Sequence, residues 1–555
     1  MASADVLVVG AGPSGLALAL QAATLGASVR SVERRPDPFR PSRALLVHPR
    51  TLEVLRPLGV SAALVASGDA APAVRLHLGR QVVSARLGPF ALPDSAFPFL
   101  LFERQAVVEQ VLADALAGLG VDIERHVELV DLRSGSDGAV ATLRRSDGST
   151  EDATARFVAG CDGSASTVRR HIGAGWRGGR HRHEVVLADV ELESDLSPRV
   201  GQLAVGPTGL LFLLAPSEQA TWRLLATTPC EPTATTDQPP ADPAGPDEDI
   251  RRLIGAAPFD AEVTSIAWSQ RVPLEHRLAS RYRAGPVFIV GDAAHTHSPA
   301  GGQGMNTGIQ DGIDLGWKLA FAARLPASTE RTQRLLDSYE AERRPVARRV
   351  VAATRVLFWI EAGTDPIARL ARSGIAPLVA PLVPVLLRRH RLVAVGARSL
   401  GQLRVRYRRS PLSLDDGASG PRPHRWRGSR PGDRLPDRPL TGVGPDRLHT
   451  LIATPGVHVL VGRDAAPLDP ATLGPWARVH RLVDRPGTGV VIVRPDGYVG
   501  YRHDDVDTDR IADWLASIGA VPGRAPTPCE GHPAPVRRRG WRGRSWPDGG
   551  RRPRR

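Results

Sequence analysis

Two glycine-rich segments, each fed by an apolar run and separated by most of the first 300 residues, constrain this 555-residue chain more than any other feature. The first, VLVVGAGPSG, runs from Val6 to Gly15 and continues into the apolar LALALQAATLG. A β-branched run, a tight turn and an apolar helix, in that order, predict a strand-to-helix unit whose helix N-terminus faces an anion. Gly10 makes the turn, Gly12 lets backbone approach a pyrophosphate, and Gly15 lets helix pack on strand, with Ser14 in the same loop. A second strand, Ser28 to Val32, ends at Glu33, 18 residues after Gly15, where a carboxylate can accept hydrogen bonds from an adenosine ribose. The expected fold class is therefore α/β, with a Rossmann-type nucleotide-binding domain. Asp5 precedes the first strand without a basic leader, so a secretion signal is not expected here.

The second segment, VFIVGDAAHTHSPAGGQGMN, runs from Val287 to Asn306. Val287 to Val290 is expected as a buried strand that delivers Asp292 to the ligand edge of a parallel sheet, within reach of ribityl hydroxyls. The following glycines let backbone lie against a flat ring. Asn306 opens a helix running through Trp317, whose first N–H groups can stabilise negative charge on a reduced flavin. Read together, the two segments bracket one FAD. His295 and His297 lack nearby acidic or cysteine partners in the sequence, so no metal is expected. Between the two lies VAGCDGSASTVRRHIG, Val158 to Gly173, in which Asp162, Ser166 and Arg169 fall on one helical turn. That set reads either as a capped helix start or as a ligand contact. The basic run holding Arg34, Arg35, Arg40, Arg43 and Arg50 reads either as a solvated loop or as a contact to a pyrophosphate or a pyridine nucleotide.

These motifs resemble those of the group A FAD-dependent aromatic hydroxylases, the para-hydroxybenzoate and phenol hydroxylase family, and within it the bacterial aromatic polyketide hydroxylases. The resemblance rests on GAGPSG (Gly10–Gly15), CDGSASTVR (Cys161–Arg169) and GDAAHTHSPAGGQGMNTGIQDGIDLGWKLA (Gly291–Ala320). It is extended by RALLVHPRTLE (Arg43–Glu53), RQAVVEQVL (Arg104–Leu112), LLDSYEAERRPVA (Leu335–Ala347) and RPDGYVGYR (Arg494–Arg502). It implies that Gly10, Gly12, Ser14 and Gly15 hold the FAD pyrophosphate and Glu33 the ribose. Arg34, Arg43 and Gln105 would lie near the pyrophosphate and ribityl chain, with Asp162 and Arg169 in a fingerprint linked to FAD and NAD(P)H. Asp292 would bind the ribityl chain, while Pro299, Gly302, Gly304, Met305 and Asn306 line the isoalloxazine. Pro286, Gly312 and Asp314 depart from the family's usual Arg, Ala and Asn. NADH or NADPH would reduce the flavin, and O2 would form a flavin hydroperoxide that hydroxylates an aromatic substrate. No strong acid or nucleophile is required, so no catalytic side chain is assigned. A Baeyer–Villiger oxygenase or a flavin oxidase/dehydrogenase is the alternative within the same fold.

The expected domains are a discontinuous FAD-binding domain (1–174 and 282–400), an inserted sheet domain for substrate (175–281, with part of 75–102), and a C-terminal domain at 430–521. Pro216, Trp222 and Arg223 are candidate pocket wall, Trp222 reading more simply as core. Phe97, Phe99 and Phe102, placed in an apolar strand, carry the same two readings. The C-terminal domain, with strands at Leu448–Ala453, Val457–Val461 and Val490–Arg494 and a helix at Asp507–Ile518, resembles the thioredoxin-like domain of phenol hydroxylases. It contains no cysteine, which excludes a CxxC redox role. Cys161, Cys230 and Cys529 are far apart and odd in number, as in a cytoplasmic protein. Ile375 to Leu387 is too short and proline-broken to span a bilayer, so no membrane partner is expected. The Pro/Ala/Asp-rich Glu231–Glu248 reads as a loop. Residues 523–555 hold ten arginines against Glu530 and Asp548, so most of the net charge of +14 lies there. That tail reads as disordered rather than as a nucleic-acid site, although a basic binding protein with a vestigial flavin fold is a third reading. A monomer or homodimer is expected.

Overall fold

Val6 to Val9 and the apolar face that follows them have one way to be buried on both sides: as the central strand of a parallel sheet under a helix. In the structure, a computed structural model, β1 (Ala4–Val9), α1 (Pro13–Thr24) and β2 (Val29–Glu33) form this unit. The structure describes residues 4–520 apart from 38–43, 79–80, 136–137, 207–208, 216–220, 230–246, 363–369, 371–373, 375–379, 417–429 and 442–443. Arg40, Arg43, Pro216, Cys230, Cys529 and the arginine-rich tail lie outside these residues, as does most of the expected loop at Glu231–Glu248; Asp247 and Glu248 instead open a helix.

In chain order follow α2 (Pro49–Leu55), the hairpin β3 (Ala73–Leu78) and β4 (Gln81–Arg86), and α3 (Gln105–Ala117). Then come β5 (Ile123–Arg125), β6 (Glu128–Ser134), β7 (Ala139–Arg144), β8 (Thr150–Gly160) and α4 (Thr167–His171). Strands β9 (Trp176–Ser194), β10 (Val200–Gly206), β11 (Gly209–Leu214) and β12 (Thr221–Pro229) lead to α5 (Asp247–Gly255) and β13 (Ala261–Ala279). The chain then returns through β14 (Val287–Ile289) to α6 (Gln303–Ala322) and α7 (Glu330–Ala362). The C-terminal part holds β15 (Val457–Gly462), β16 (Ala477–Leu482), β17 (Val490–Val493), β18 (Val499–His503) and α8 (Thr508–Ser517).

The first sheet has a parallel core in the order β14-β8-β1-β2-β5, with β7 pairing antiparallel to β8, β6 to β7 and Arg283–Ala284 to β14, so the strands ahead of all three fingerprints lie side by side and their C-terminal ends share one edge. The second sheet, β13-β9-β12-β11-β10-β3-β4, combines the expected insert with residues 73–86. Its two faces differ. Val186, Val190, Leu213, Trp222 and Leu224 pack on Ile250 and Ile254 of α5, whereas Val185, Leu187, Leu225 and Trp268 pack with Ala300 and Phe358 on the other face.

The C-terminal sheet runs β18-β17-β15-β16, with β15 and β16 parallel and β17 antiparallel to β15. Leu448–Leu451 is a short helix, not the expected strand, because the Asp437 carboxylate accepts from the His449 N–H (2.9 Å) and caps its first turn. Phe97 and Phe99 lie outside any strand, divided by Pro98, while Phe102 is in one. Val459, Ile492, Tyr501 and Trp514 of the C-terminal part belong to the same buried cluster as Leu18, Ile313 and Trp317, so this part shares a core with the first domain. No helix among the described residues is long and apolar enough to cross a membrane.

Candidate functional site

Helix α1 begins at Gly12, whose extended backbone carries no side-chain cap, so the first N–H groups of the helix are not closed off by their own cap residue. Gly10 has φ +103° and packs so tightly that a Cβ would sit 2.4 Å from the Cys161 carbonyl oxygen; one on Gly15 would sit 1.9 Å from that of Gly10. Glu33, buried at the end of β2, turns its carboxylate to this loop and accepts from the Ala11 N–H at 2.9 Å and the Arg35 N–H at 3.1 Å. Arg34 beside it is exposed. Ser14 points elsewhere. Its hydroxyl packs between Gly291 and Gly308, where a Cβ would come within 2.4 and 2.2 Å.

The second glycine-rich segment leaves β14 as a 3-10 turn, Gly291–Ala293, that exposes Asp292. The loop then passes Pro299 and reaches α6 through Gly301 and Gly302, both left-handed (φ +70° and +64°). Gly302 supplies no side-chain cap, so a second open helix N-terminus faces the loop. A Cβ on Gly304 would meet nothing nearer than the His297 ring at 3.8 Å, so its backbone is open to a flat ligand. Met305 is buried.

Asn306 is fully buried and its side chain is spent on protein. Its oxygen accepts from the His48 N–H (2.8 Å) and the Thr51 hydroxyl (2.7 Å), and its amide donates to Leu46 O and Gly302 O (both 2.8 Å). Beside it, His48 Nε2 donates to Gly301 O (3.0 Å), and burial pushes its ring down to about 4. His48 thus holds the loop in the neutral form, a role the sequence reading missed; only its place in RALLVHPRTLE marked the segment. Gln105 also acts within the protein: its side-chain oxygen accepts from the Ala44 N–H (3.3 Å) and its amide donates to Glu109 (2.9 Å).

In the middle fingerprint Asp162 caps a helix start and Arg169 clamps two backbone carbonyls. Asp162 Oδ2 accepts from the N–H groups of Thr167 (2.7 Å) and Val168 (3.1 Å), the capped-helix reading, while its buried Oδ1 has no hydrogen-bond partner. Arg169, buried and stacked 3.9 Å over Trp176, donates to Ser164 O (2.6 Å) and to Ala293 O (3.0 Å), next to Asp292. The three fingerprints thus converge on one edge of the first sheet.

A family profile described as an FAD binding domain matches residues 3–354. The chain belongs to that family. It is 34% identical to the 6-methylpretetramide 4-monooxygenase of Streptomyces rimosus, across 93% of this chain and 94% of that one. Among solved structures it superposes on a ternary complex of aklavinone-11 hydroxylase with FAD and aklavinone (TM-score 0.72, 27% identity, 93% and 99% covered). It also superposes on the OxyS anhydrotetracycline hydroxylase of S. rimosus (TM-score 0.71, 28% identity, 94% and 100% covered). The protein is an FAD-dependent monooxygenase.

In this monooxygenase the second sheet turns its Ala300-facing side toward the Gly291–Asn306 loop. Trp222 is on the other side, 2% exposed against α5, and is therefore core rather than pocket wall. Arg223, the next residue, points the opposite way by strand alternation and forms a buried two-pronged pair with Asp189 (2.6 and 2.7 Å), its guanidinium 5.4 Å from the Trp268 ring. Near Phe358, His181 Nε2 and His276 Nδ1 meet at 3.3 Å, and burial pushes His181 down to about 4. His297, within the loop, is likewise lowered to about 4, first by burial and then by His295. Asp314, Glu342 and Asp496 lie close enough together to hold a metal ion, but Arg494 and Lys318 bond to them instead.

Proposed function

We propose that this monooxygenase hydroxylates a polycyclic aromatic polyketide, with NADH or NADPH as reductant and O2 as oxygen donor. The observation that carries the reading is the match, over more than nine-tenths of the chain, to hydroxylases of that class. The sheet face toward the flavin loop agrees with it: half-buried Leu225 and Trp268 lie beside the buried Val185, Leu187 and Phe358 and the buried Arg223–Asp189 pair. The relatives' own names, 6-methylpretetramide, anhydrotetracycline and aklavinone, point to the same chemical class.

In this reading the open N-terminus of α1, with Gly10, Gly12 and Gly15, holds the FAD pyrophosphate, and Glu33 holds the ribose. Asp292 accepts from the ribityl chain, and the backbone from Pro299 to Asn306 lies along the ring. Arg34 reaches the cofactor from the exposed side. Ser14, Gln105, Asp162, Arg169 and Asn306 act by packing, capping and clamping this cradle. Bound FAD supplies the redox chemistry that activates O2. The protein orients the substrate and keeps water out. No metal takes part, and the enzyme works in the cytoplasm as a monomer or homodimer.

The test is to incubate the full chain with NADPH, isotopically labelled O2 and a panel of polycyclic phenols and quinones, and to read product mass and structure. A product carrying one labelled hydroxyl on an intact ring is expected. A ring-inserted oxygen would replace hydroxylation by Baeyer–Villiger chemistry, and an unlabelled product lacking two hydrogens would replace it by dehydrogenation. NADPH consumption that no polycyclic substrate stimulates would overturn the substrate class.

A further inference from the structure

The junction between α6, α7 and the C-terminal sheet contains a buried ionic network that the FAD cradle does not use. Arg494, just after β17, is 1% exposed and donates to both oxygens of Glu342 (2.6 and 2.8 Å), to Asp314 (3.1 Å) and to Asp496 (3.1 Å). Lys318 donates to Asp314 (2.8 Å) and Glu342 (2.7 Å). Three carboxylates therefore meet two cations. Burial, then the nearby Glu342 and Asp496 charges, push the Asp314 carboxyl well above its ordinary range, while Arg494 and Lys318 overcome burial to hold Glu342 far below its own.

From this centre the polar contacts run to both sides of the flavin loop. On one side Arg343 of α7, next to Glu342, donates to Thr307 O (3.2 Å), to Asp311 (2.5 Å) and to the Tyr407 hydroxyl (2.7 Å). Asp311 in turn holds His295 Nε2 at 2.7 Å, three residues from Asp292. On the other side, the carbonyl of Asp496 accepts from Arg50 of α2, whose guanidinium lies 4.7 Å over Tyr498. Helix α2 begins directly after His48, the residue that holds Gly301.

We propose that Arg494 is a positioning residue for FAD: from the C-terminal sheet it locks α6, α7 and α2 together and so fixes the Gly291–Asn306 loop between them. The C-terminal part is on this account a component of the cofactor site, which explains why a domain without a redox cysteine shares the core of the first domain. Asp314, whose carboxyl burial and the neighbouring carboxylates push upward, stands where the family's usual residue is Asn.

The inference rests on FAD binding, not on the identity of the substrate, and its test is independent of turnover. In the full chain, Arg494→Met removes the cation at nearly constant volume, and FAD affinity is read by flavin fluorescence alongside Tm. The control is Val491→Ala, which opens a cavity on the β17 face that packs inside the C-terminal sheet. Arg494→Met is expected to raise the FAD Kd at least about tenfold, whereas Val491→Ala leaves it within about twofold even where it lowers Tm as much. Equal Kd values for Arg494→Met and wild type, or equal losses for Arg494→Met and Val491→Ala, would overturn the proposal. Where Arg494→Met does not fold, Arg494→Lys keeps the charge but loses the fork; an unchanged FAD Kd in that variant would overturn it as well.

Discussion

Gly312→Ala is the substitution on which helix propensity and packing disagree most sharply. Gly312 lies inside α6, where alanine is worth about 1 kcal/mol more than glycine by propensity alone. The structure opposes this. A Cβ at Gly312 would stand 2.4 Å from Ser14 O and 3.0 Å from Leu18 N, both backbone atoms of α1 that cannot swing aside. Restoring ordinary contact requires the two helices to part by nearly 1 Å along an interface where Gly308 and Gly316 are equally tight against Ser14, Leu18 and Gln21. Overpacking of this kind costs about 1–3 kcal/mol, and the close approach of backbone on both sides places it at the upper end. After the propensity gain, a net loss of about 1–2 kcal/mol is expected. Because α1 starts at the Gly10–Gly15 turn, its displacement should also weaken FAD binding, by about tenfold. Urea unfolding of the apo and FAD-loaded protein measures both effects. Gly396→Ala is the control: Gly396 is in the helix His390–Leu400, and nothing lies within 4 Å of the added methyl, so that variant should be unchanged or slightly stabilised. A Gly312→Ala protein as stable as Gly396→Ala would refute the packing reasoning.

Asp292→Ala removes an exposed carboxylate at the strand edge and should weaken FAD binding about 10- to 100-fold, the effect of losing a charged hydrogen bond of about 1.5–3 kcal/mol; flavin fluorescence titration checks it. Arg223→Met leaves Asp189 without its two-pronged partner and should destabilise by about 3–5 kcal/mol, whereas Arg223→Met with Asp189→Leu should recover most of that in the same denaturation assay. Stability should also fall as pH drops from 6.5 toward 4. His48 and His458 are buried with their pKa values lowered to about 4, so between those limits the unfolded chain binds protons that the folded one refuses. Each should cost about 2 kcal/mol between pH 7 and pH 5, read as a falling urea midpoint; His48→Gln should flatten part of that slope.

The backbone of the two glycine-rich segments was legible because its geometry is local. A glycine turn, an uncapped helix start and an acid at the end of the next strand are set by residues a few positions apart, and Gly12, Glu33, Asp292 and Gly302 stand where such spacing puts them. The same local logic separated the faces of β12 only once the structure showed which side carried α5. Trp222 and Arg223 are neighbours in the chain, and strand alternation guarantees that they diverge without saying which one packs on α5.

The roles of Asn306, Arg169 and Arg494 were not legible, for a different reason. Their partners are Leu46, Ala293 and Glu342, residues 260, 124 and 152 positions away. No periodicity links such pairs. By itself the sequence determined a flavin-type α/β sheet and its glycine turns, because turn and helix-end geometry follow from short-range sterics. The tertiary structure alone decided which polar groups are spent on holding that backbone in place. Buried donors and acceptors must find partners wherever the fold brings them, and here it brought them from the far end of the chain.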